Sequence, residues 1–155
     1  MSSTIHKYPV AVSWEGARDG HGSATFSNSG LTVKLAVPPE FGGKGGATNP
    51  EELLTGAVSA CYAITFGIVT ANRKLPITSF KVDSQGEVEL AGTAMTFKKI
   101  MIRPEIRVAP DSSETQITQI MDLALKAEHY CPITNAVRGK VEVLVEPMVL
   151  RSSAP

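Results

Sequence analysis

The sequence predicts an α+β domain with a mainly antiparallel sheet, a long buried central helix and a second helix. Three observations support this class. Apolar and polar residues alternate, as in strands, over about the first forty positions and again in two long segments later in the chain. A run without charged residues, from Leu53 to Asn72, separates these two strand regions. A second helical pattern and a final strand pattern complete the chain. No linker or repeat divides residues 1–155, so we expect one domain.

The N-terminal region predicts three strands and a hairpin turn. The segment 28–30, Asn-Ser-Gly, is typical of a hairpin turn, and Pro38 ends the third strand. The next segment, FGGKGGAT, is not a phosphate loop, because Lys44 is followed by glycine where a hydroxyl residue is required. We expect a flexible lid or crossover there. The apolar residues of the first and third strands are Tyr8, Val10 and Val12, and Leu31, Val33, Leu35 and Val37.

The charge-free run predicts one long helix with a clear start. Asn49 is suited to cap the helix, Pro50 to its first position, and Glu51 to the positive end of the helix dipole. The helix should end near Arg73. A helix without a polar face in a soluble protein is expected to be buried on all sides. The run is also long enough to span a bilayer, but its several Thr, Gly and Ser residues make it only modestly apolar.

The second half of the chain predicts a β-hairpin, a helix and a last strand. Gly92 separates two alternating strands, over residues 78–90 and 94–108, and Pro104 suggests an edge or a bulge. Asp111 is expected to open a helix that runs to about Tyr130. Pro132 then starts a short further turn with Cys131 at its N-cap, and the last strand contains Val141, Val143 and Val145.

Composition excludes several partners. Lys plus Arg and Asp plus Glu each number 15, so the formal net charge is zero and no basic patch favours nucleic acid or an anionic membrane. The N-terminus lacks the charged start and apolar stretch of a signal peptide. We therefore expect a cytoplasmic protein, in which the two cysteines are reduced or catalytic rather than a structural bridge.

Cys61 lies within the apolar helix, where a thiol should stay protonated unless a cation approaches it. Arg18, in the turn EGARDGHG, is one candidate, and Glu51 is a possible counter-charge for it. On the alternative interpretation, Arg18 is a solvated turn charge and Glu51 serves only the helix dipole. Glu51 and Cys61 would be about 15 Å apart along one helix, so a second copy packed antiparallel could bring them together.

Four motifs together, GARDG, GGKGGATNPEELL, SACY and HYCPITNAVRG, resemble the OsmC/Ohr family, most closely its organic hydroperoxide resistance branch. The resemblance covers nearly the whole chain. It implies an intertwined homodimer in which Cys61 is the peroxidatic cysteine and Cys131 the resolving cysteine. It also implies that Arg18 and Glu51 are the charged pair that activates the thiolate. The segments SWEG and TAMTFKKIMI look more like the osmotically inducible branch.

The resemblance implies a thiol-dependent peroxidase that reduces organic hydroperoxides through a Cys61 sulfenic acid and a Cys61–Cys131 disulfide. An external dithiol of lipoyl type would then reduce the disulfide. Phe41, Ile64 and Phe66 are the candidate apolar lining for the hydroperoxide. No metal, haem or flavin is expected.

Other functions stay open at this point. One is a metal site, although the histidines lack the usual ligand spacings. A second is a non-enzymatic protein that holds an apolar ligand in its cavity. A third is an OsmC-type peroxidase with a broader substrate range. The candidate metal ligands are His6, His21, His129 and the two cysteines.

Overall fold

A computed structural model describes residues 3–153. The chain forms two compact units, divided between Leu53 and Leu54. This boundary falls inside the first helix. The prediction of a single domain over residues 1–155 stays a prediction.

The first unit contains the predicted three-stranded antiparallel sheet. Its strands are β1 (Val10–Glu15), β2 (His21–Phe26) and β3 (Leu31–Ala36), paired in that order. The predicted hairpin turn is confirmed, since Gly30 has a φ of +74° and its N–H donates to the carbonyl of Phe26 at 2.8 Å. All six residues of β1 are exposed.

Helix α1 (Pro50–Asn72) has the bounds that the capping residues predict. The side-chain oxygen of Asn49 accepts a hydrogen bond from the backbone N–H of Glu52 at 2.8 Å, as an N-cap residue should. Because Pro50 has no N–H to leave unsatisfied, it fits the first helical position. The local sequence therefore determines where α1 begins.

Only one side of α1 is buried. Its buried residues, Val58, Tyr62, Phe66 and Thr70, recur every four positions and form a single stripe. The Tyr62 hydroxyl donates to the carbonyl of Ala124 at 2.8 Å, and burial raises the pKa of Tyr62. The prediction that α1 is buried on all sides is wrong for this chain. The opposite side, named here the exposed stripe of α1, consists of Gly56, Ala57, Ala60, Ile64, Ile68 and Ala71.

The length and composition of α1 would also permit a membrane span, with a mean hydropathy of 1.7. The core helices of soluble proteins satisfy the same criteria, so these features alone do not make α1 a span. Its buried stripe belongs to the core of the second unit.

The second unit has a four-stranded sheet around a long hairpin. Strands β4 (Ile77–Ala91) and β5 (Ala94–Val108) pair antiparallel, joined by a turn in which Gly92 has a φ of +64°. Two short strands, β6 (Glu142–Val145) and β7 (Met148–Arg151), both pair parallel with β5.

The predicted last strand is confirmed as β6, which contains Val143 and Val145 but not Val141. A further strand, β7, was missed: the pairing with β5 stops at Glu146 and Pro147, opposite Arg103 and Pro104, and resumes at Met148. Proline has no N–H for the ladder, so the edge strand is interrupted there. β5 as a whole is not an edge strand, and its register shifts against β4 occur elsewhere, so Pro104 is not at a bulge; it lies opposite the gap between β6 and β7, where β5 is paired only with β4.

The second predicted helix is shorter than expected and divided. α2 (Glu114–Lys126) begins after Ser113, which forms a reciprocal capping box with Gln116, rather than at Asp111. A 3₁₀ turn, Ala127–Tyr130, follows it. The short helix α3 (Pro132–Val137) then begins with Cys131 as its N-cap, which confirms that prediction.

The core of the second unit lies between α1, α2 and the sheet. Fully buried branched residues from β5 pack against the buried stripe of α1 and against α2. This packing fixes the orientation of α1, and with it the side of the helix on which Cys61 lies. The α+β class is confirmed. The buried β5 and α2 residues include Ile100, Ile102, Ile106, Val108, Ile120, Leu123 and Ala124.

Candidate active site

Cys61 and Cys131 form a disulfide in the second unit. They are 70 residues apart in sequence, and their Cα atoms are 5.8 Å apart. Cys131 is fully buried, whereas Cys61 is half-buried. The two bonded residues therefore differ in how much of each is exposed to solvent.

Helix α1 places Cys61 between its buried and exposed sides. Val58 and Tyr62 are fully buried, while Ala60 and Ile64 are exposed. Cys61 is consequently held by a well-packed helix and still partly reachable from outside the chain.

Cys131 is held at the junction between the 3₁₀ turn and α3. Its sulfur accepts a hydrogen bond from the backbone N–H of Thr134 at 3.3 Å. Its own N–H donates to the carbonyl of Glu128 at 3.3 Å, and its carbonyl accepts from the N–H of Asn135 at 3.0 Å. These bonds fix the backbone on both sides of the cysteine.

A buried carboxylate lies three residues before Cys131. The Glu128 side chain is only 9% exposed, and its Oε2 is 2.8 Å from Nη2 of Arg138. Its Oε1 is 3.1 Å from Nδ1 of His129. Sequence reasoning missed Glu128 and Arg138 as an interacting pair, although the motif HYCPITNAVRG begins directly after Glu128 and contains Arg138.

Arg18 lies in the predicted turn between β1 and β2 and is exposed. Its side chain packs against the glycine-rich connection, since a Cβ added at Gly42 would be 3.1 Å from Cδ of Arg18. Gly42 also has a φ of +80°, so a larger residue there would be strained and would press on Arg18. Phe41, the residue before Gly42, is half-buried.

Glu51 lies in the first turn of α1 and is half-buried. Arg18 and Glu51 both belong to the first unit, and the two cysteines to the second. The action of the charged pair on Cys61 stays a prediction.

The candidate lining residues on α1 differ in their surroundings. Phe66 is fully buried, with its ring centroid 6.1 Å from that of Tyr62 and 5.2 Å from that of Phe80. Ile64 is 64% exposed. Phe66 is thus part of the core, and the role of both residues in contacting a substrate stays a prediction.

The proposed metal ligands do not form a cluster in the part of the chain that the structure describes. Residues 3–153 contain no group of three or more His, Cys, Asp or Glu side chains placed to hold a metal ion. His129 contacts Glu128 instead, and the two cysteines are bonded to each other.

Comparisons with known proteins agree with this fold and identify the family. The family model described as "OsmC-like protein" matches residues 43–146. The chain is 32% identical to the uncharacterized protein YmaD of Bacillus subtilis over 93% of this chain and 95% of that protein. It is 31% identical to an organic hydroperoxide resistance protein of Xanthomonas axonopodis pv. citri, over 88% of this chain and 91% of the relative. It is 28% identical to the peroxiredoxin OsmC of Escherichia coli, over 89% of this chain and 94% of that protein.

A solved structure shows the same architecture. The crystal structure of an organic hydroperoxide resistance protein OsmC from Legionella pneumophila superposes with a TM-score of 0.74 at 25% identity, covering 95% of this chain and 100% of that one. The fold and the paired cysteines define an α+β protein with a disulfide between its long helix and a short C-terminal helix. The chain belongs to the OsmC-like protein family.

Proposed function

We propose that this protein is a thiol-dependent peroxidase that reduces organic hydroperoxides to alcohols and thereby protects the cell against oxidative stress. The observation that carries the proposal is the Cys61–Cys131 disulfide, in which Cys61 is half-buried and Cys131 is fully buried. The printed names of the Xanthomonas and Escherichia coli relatives support the same activity.

In the first step, the Cys61 thiolate attacks one oxygen of the hydroperoxide. The S–O bond forms as the O–O bond breaks, and the alkoxide takes a proton to leave as the alcohol. Cys61 becomes a sulfenic acid. Its half-exposed position on α1 favours it over the fully buried Cys131 as the attacking sulfur.

Arg18 supplies the positive charge that makes Cys61 a thiolate at neutral pH, and Glu51 holds Arg18. A guanidinium stays charged in a dry site, so it can offset the burial that opposes thiolate formation. The position of Arg18 against the glycine-rich connection gives it a defined place in the first unit. The connection, with Phe41, would close over the hydroperoxide.

In the second step, the Cys131 thiolate attacks the Cys61 sulfur. The S–S bond forms, the S–O bond breaks, and the hydroxide takes a proton to leave as water. An external dithiol of lipoyl type then reduces the disulfide by exchange. Because Cys131 is fully buried, the dithiol attacks Cys61, and Cys131 leaves as a thiolate that the N–H of Thr134 stabilises.

The protein acts as a homodimer. The exposed stripe of α1 is apolar or small at every position, with Ile64 64% and Ile68 56% exposed. Exposed apolar patches of this kind mark surfaces that associate. Small residues allow two helices to approach closely, and an antiparallel pair would bring Glu51 of one chain toward Cys61 of its partner. We place the protein in the cytoplasm, with no metal, haem or flavin required.

A broader substrate range is the second candidate function. The similarity to the peroxiredoxin OsmC of Escherichia coli is only slightly lower than that to the organic hydroperoxide resistance protein. A broader-range enzyme would use the same cysteines and differ only in how strongly apolar contacts favour organic substrates.

One experiment tests the function and separates these candidates. Rates are measured with cumene hydroperoxide and with hydrogen peroxide, each with dihydrolipoamide and with thioredoxin as the reductant. We expect cumene hydroperoxide to be preferred by at least about tenfold, because an apolar lining contributes that order of discrimination. We expect turnover with dihydrolipoamide to exceed turnover with thioredoxin. Equal rates for the two peroxides would favour the broader-range enzyme, and no turnover in any combination would overturn the proposal.

A further inference from the structure

The residues on either side of Cys131 are joined by side chains as well as by the backbone. Glu128 lies in the 3₁₀ turn before the cysteine, and Arg138 directly follows α3 after it. Their ion pair, at 2.8 Å, therefore connects the two elements that meet at Cys131.

Asn135 strengthens this connection from α3. Its Nδ2 donates to the carbonyl of His129 at 3.3 Å, and its Oδ1 accepts from Nε of Arg138 at 3.2 Å. Arg138 is thus held by a carboxylate at one nitrogen and by an amide at another. We name Glu128, Asn135 and Arg138 the Glu128 network.

The network has a specific task once the disulfide is reduced. In the oxidised protein the S–S bond itself holds Cys131 beside Cys61. In the reduced protein that bond is absent, and α3, with only six residues, is too short to be stable by its own hydrogen bonds. The Glu128 network then keeps the 3₁₀ turn and α3 in their relative positions.

We propose that the Glu128 network positions Cys131 for attack on the Cys61 sulfenic acid and so determines how often that acid becomes a disulfide rather than a sulfinic acid. This inference rests on the proposed peroxidase function. In the productive reaction, the Cys131 thiolate forms the S–S bond and water leaves. In the competing reaction, a second hydroperoxide molecule oxidises the sulfenic acid to a sulfinic acid and is itself reduced to a second alcohol.

One partner of the ion pair is buried, since the Glu128 side chain is 9% exposed and the Arg138 side chain 45%. A carboxylate that has been withdrawn from water needs a charged or hydrogen-bonding partner, so Glu128 holds Arg138, and with it the end of α3, in place. A misplacement of about 1 Å between reacting groups can lower a rate by up to about a hundredfold. Glu128, Asn135 and Arg138 are therefore positioning residues, which act on the reaction through the location of Cys131.

The experiment compares Glu128→Gln and Asn135→Ala with a matched control, Glu146→Gln. Glu146 forms an ion pair with Arg103 at 3.0 Å on the exposed edge of the same unit, so its loss removes an ion pair that lies outside the network. Asn135 is exposed, so Asn135→Ala should fold even if Glu128→Gln does not. Each reduced protein receives cumene hydroperoxide at increasing excess in a rapid-mixing instrument. Mass spectrometry then gives the fractions of disulfide and of Cys61 sulfinic acid.

We expect the first step, the oxidation of Cys61, to proceed at the wild-type rate in all three variants. We expect disulfide formation to be about tenfold slower or more in Glu128→Gln, and less affected in Asn135→Ala, with a matching rise in sulfinic acid. Arg138→Lys keeps the charge and should restore most of the disulfide yield relative to Arg138→Met. If these residues had a purely structural role, replacing them would lower thermal stability without changing the fractions of disulfide and of Cys61 sulfinic acid.

Two failures are distinguishable. If wild type forms no disulfide with hydroperoxide, the proposed function is wrong. If wild type forms the disulfide and the folded network variants give the same disulfide and sulfinic acid fractions as Glu146→Gln, the function stands and the positioning role is overturned.

Discussion

Cys61 and Cys131 form one disulfide, yet their surroundings are opposite. Cys61 lies on a 23-residue helix that is held by apolar packing along one stripe, and it is half-buried. Cys131 is fully buried between two short elements that are held by an ion pair and backbone hydrogen bonds. This difference suits the two cysteines to different steps of the proposed mechanism. On that mechanism the half-buried Cys61 meets the peroxide, and the buried Cys131 needs to reach only Cys61.

The largest expected effect comes from replacing each cysteine in turn by serine. Cys61→Ser should lower the rate of peroxide reduction by a factor on the order of 10³ or more, because a neutral hydroxyl is a far weaker nucleophile than a thiolate. Cys131→Ser should retain the first turnover at close to the wild-type rate and then accumulate oxidised Cys61. Rapid mixing with one equivalent of cumene hydroperoxide measures both. A Cys61→Ser protein with the wild-type rate would contradict the assignment.

A smaller effect is expected from the charge that activates Cys61. Arg18→Ala should raise the pKa of Cys61, because it removes a cation that favours the thiolate. The fraction of Cys61 that is a thiolate at pH 7 then falls, and the rate of peroxide reduction should fall with it by roughly tenfold or more. The difference in rate between Arg18→Ala and the wild type should shrink as the pH rises through the raised pKa of Cys61. The pH dependence of Cys61 alkylation in the Cys131→Ser background measures this shift.

The control for this prediction is Arg73→Ala, which removes an exposed arginine just after the C-terminal end of α1. It should leave the alkylation profile unchanged. Identical profiles for Arg18→Ala and Arg73→Ala would show that Arg18 does not act on Cys61.

The last prediction concerns the exposed stripe of α1, and it is tested through assembly rather than through the rate of peroxide reduction. Ile68→Glu places a charge where the proposed dimer buries apolar surface, and desolvating that charge should dissociate the dimer. Sedimentation velocity measures the change. Leu90→Glu, at a residue that is 55% exposed on β4, serves as the matched control and should remain dimeric. If the wild type is monomeric, or if Ile68→Glu leaves the dimer intact, the exposed stripe of α1 is not the dimer interface.

Local signals in the sequence predicted most of the elements. Asn49 and Pro50 predicted the start of α1, Gly92 predicted the β4–β5 turn, and Pro132 predicted α3 with Cys131 as its cap. In each case the physical cause lies within a few residues of the element. The start of α2 was missed because Asp111 was preferred to Ser113, although Ser113 and Gln116 have the spacing of a capping box.

Long-range features could not be predicted in the same way. A helix without charges gives no indication of which side a sheet will cover, so the exposed stripe of α1 was expected to be buried. The Glu128–Arg138 pair joins residues ten positions apart, and it depends on how the extended backbone of Cys131 places α3 after the 3₁₀ turn. The interruption between β6 and β7 lies opposite residues 103 and 104 of β5. It depends on which segments become neighbours in the sheet, and local sequence patterns do not indicate this.

The central claim is that Cys61 is oxidised first and that Cys131 resolves it. The most direct measurement traps the sulfenic acid with a dimedone-type probe in reduced wild type, Cys61→Ser and Cys131→Ser after one equivalent of cumene hydroperoxide, with the labelled cysteine identified by peptide mass spectrometry. We predict a Cys61–Cys131 disulfide with little label in wild type, label on Cys61 in Cys131→Ser, and none in Cys61→Ser. Label on Cys131, or both thiols intact in wild type, would contradict the account.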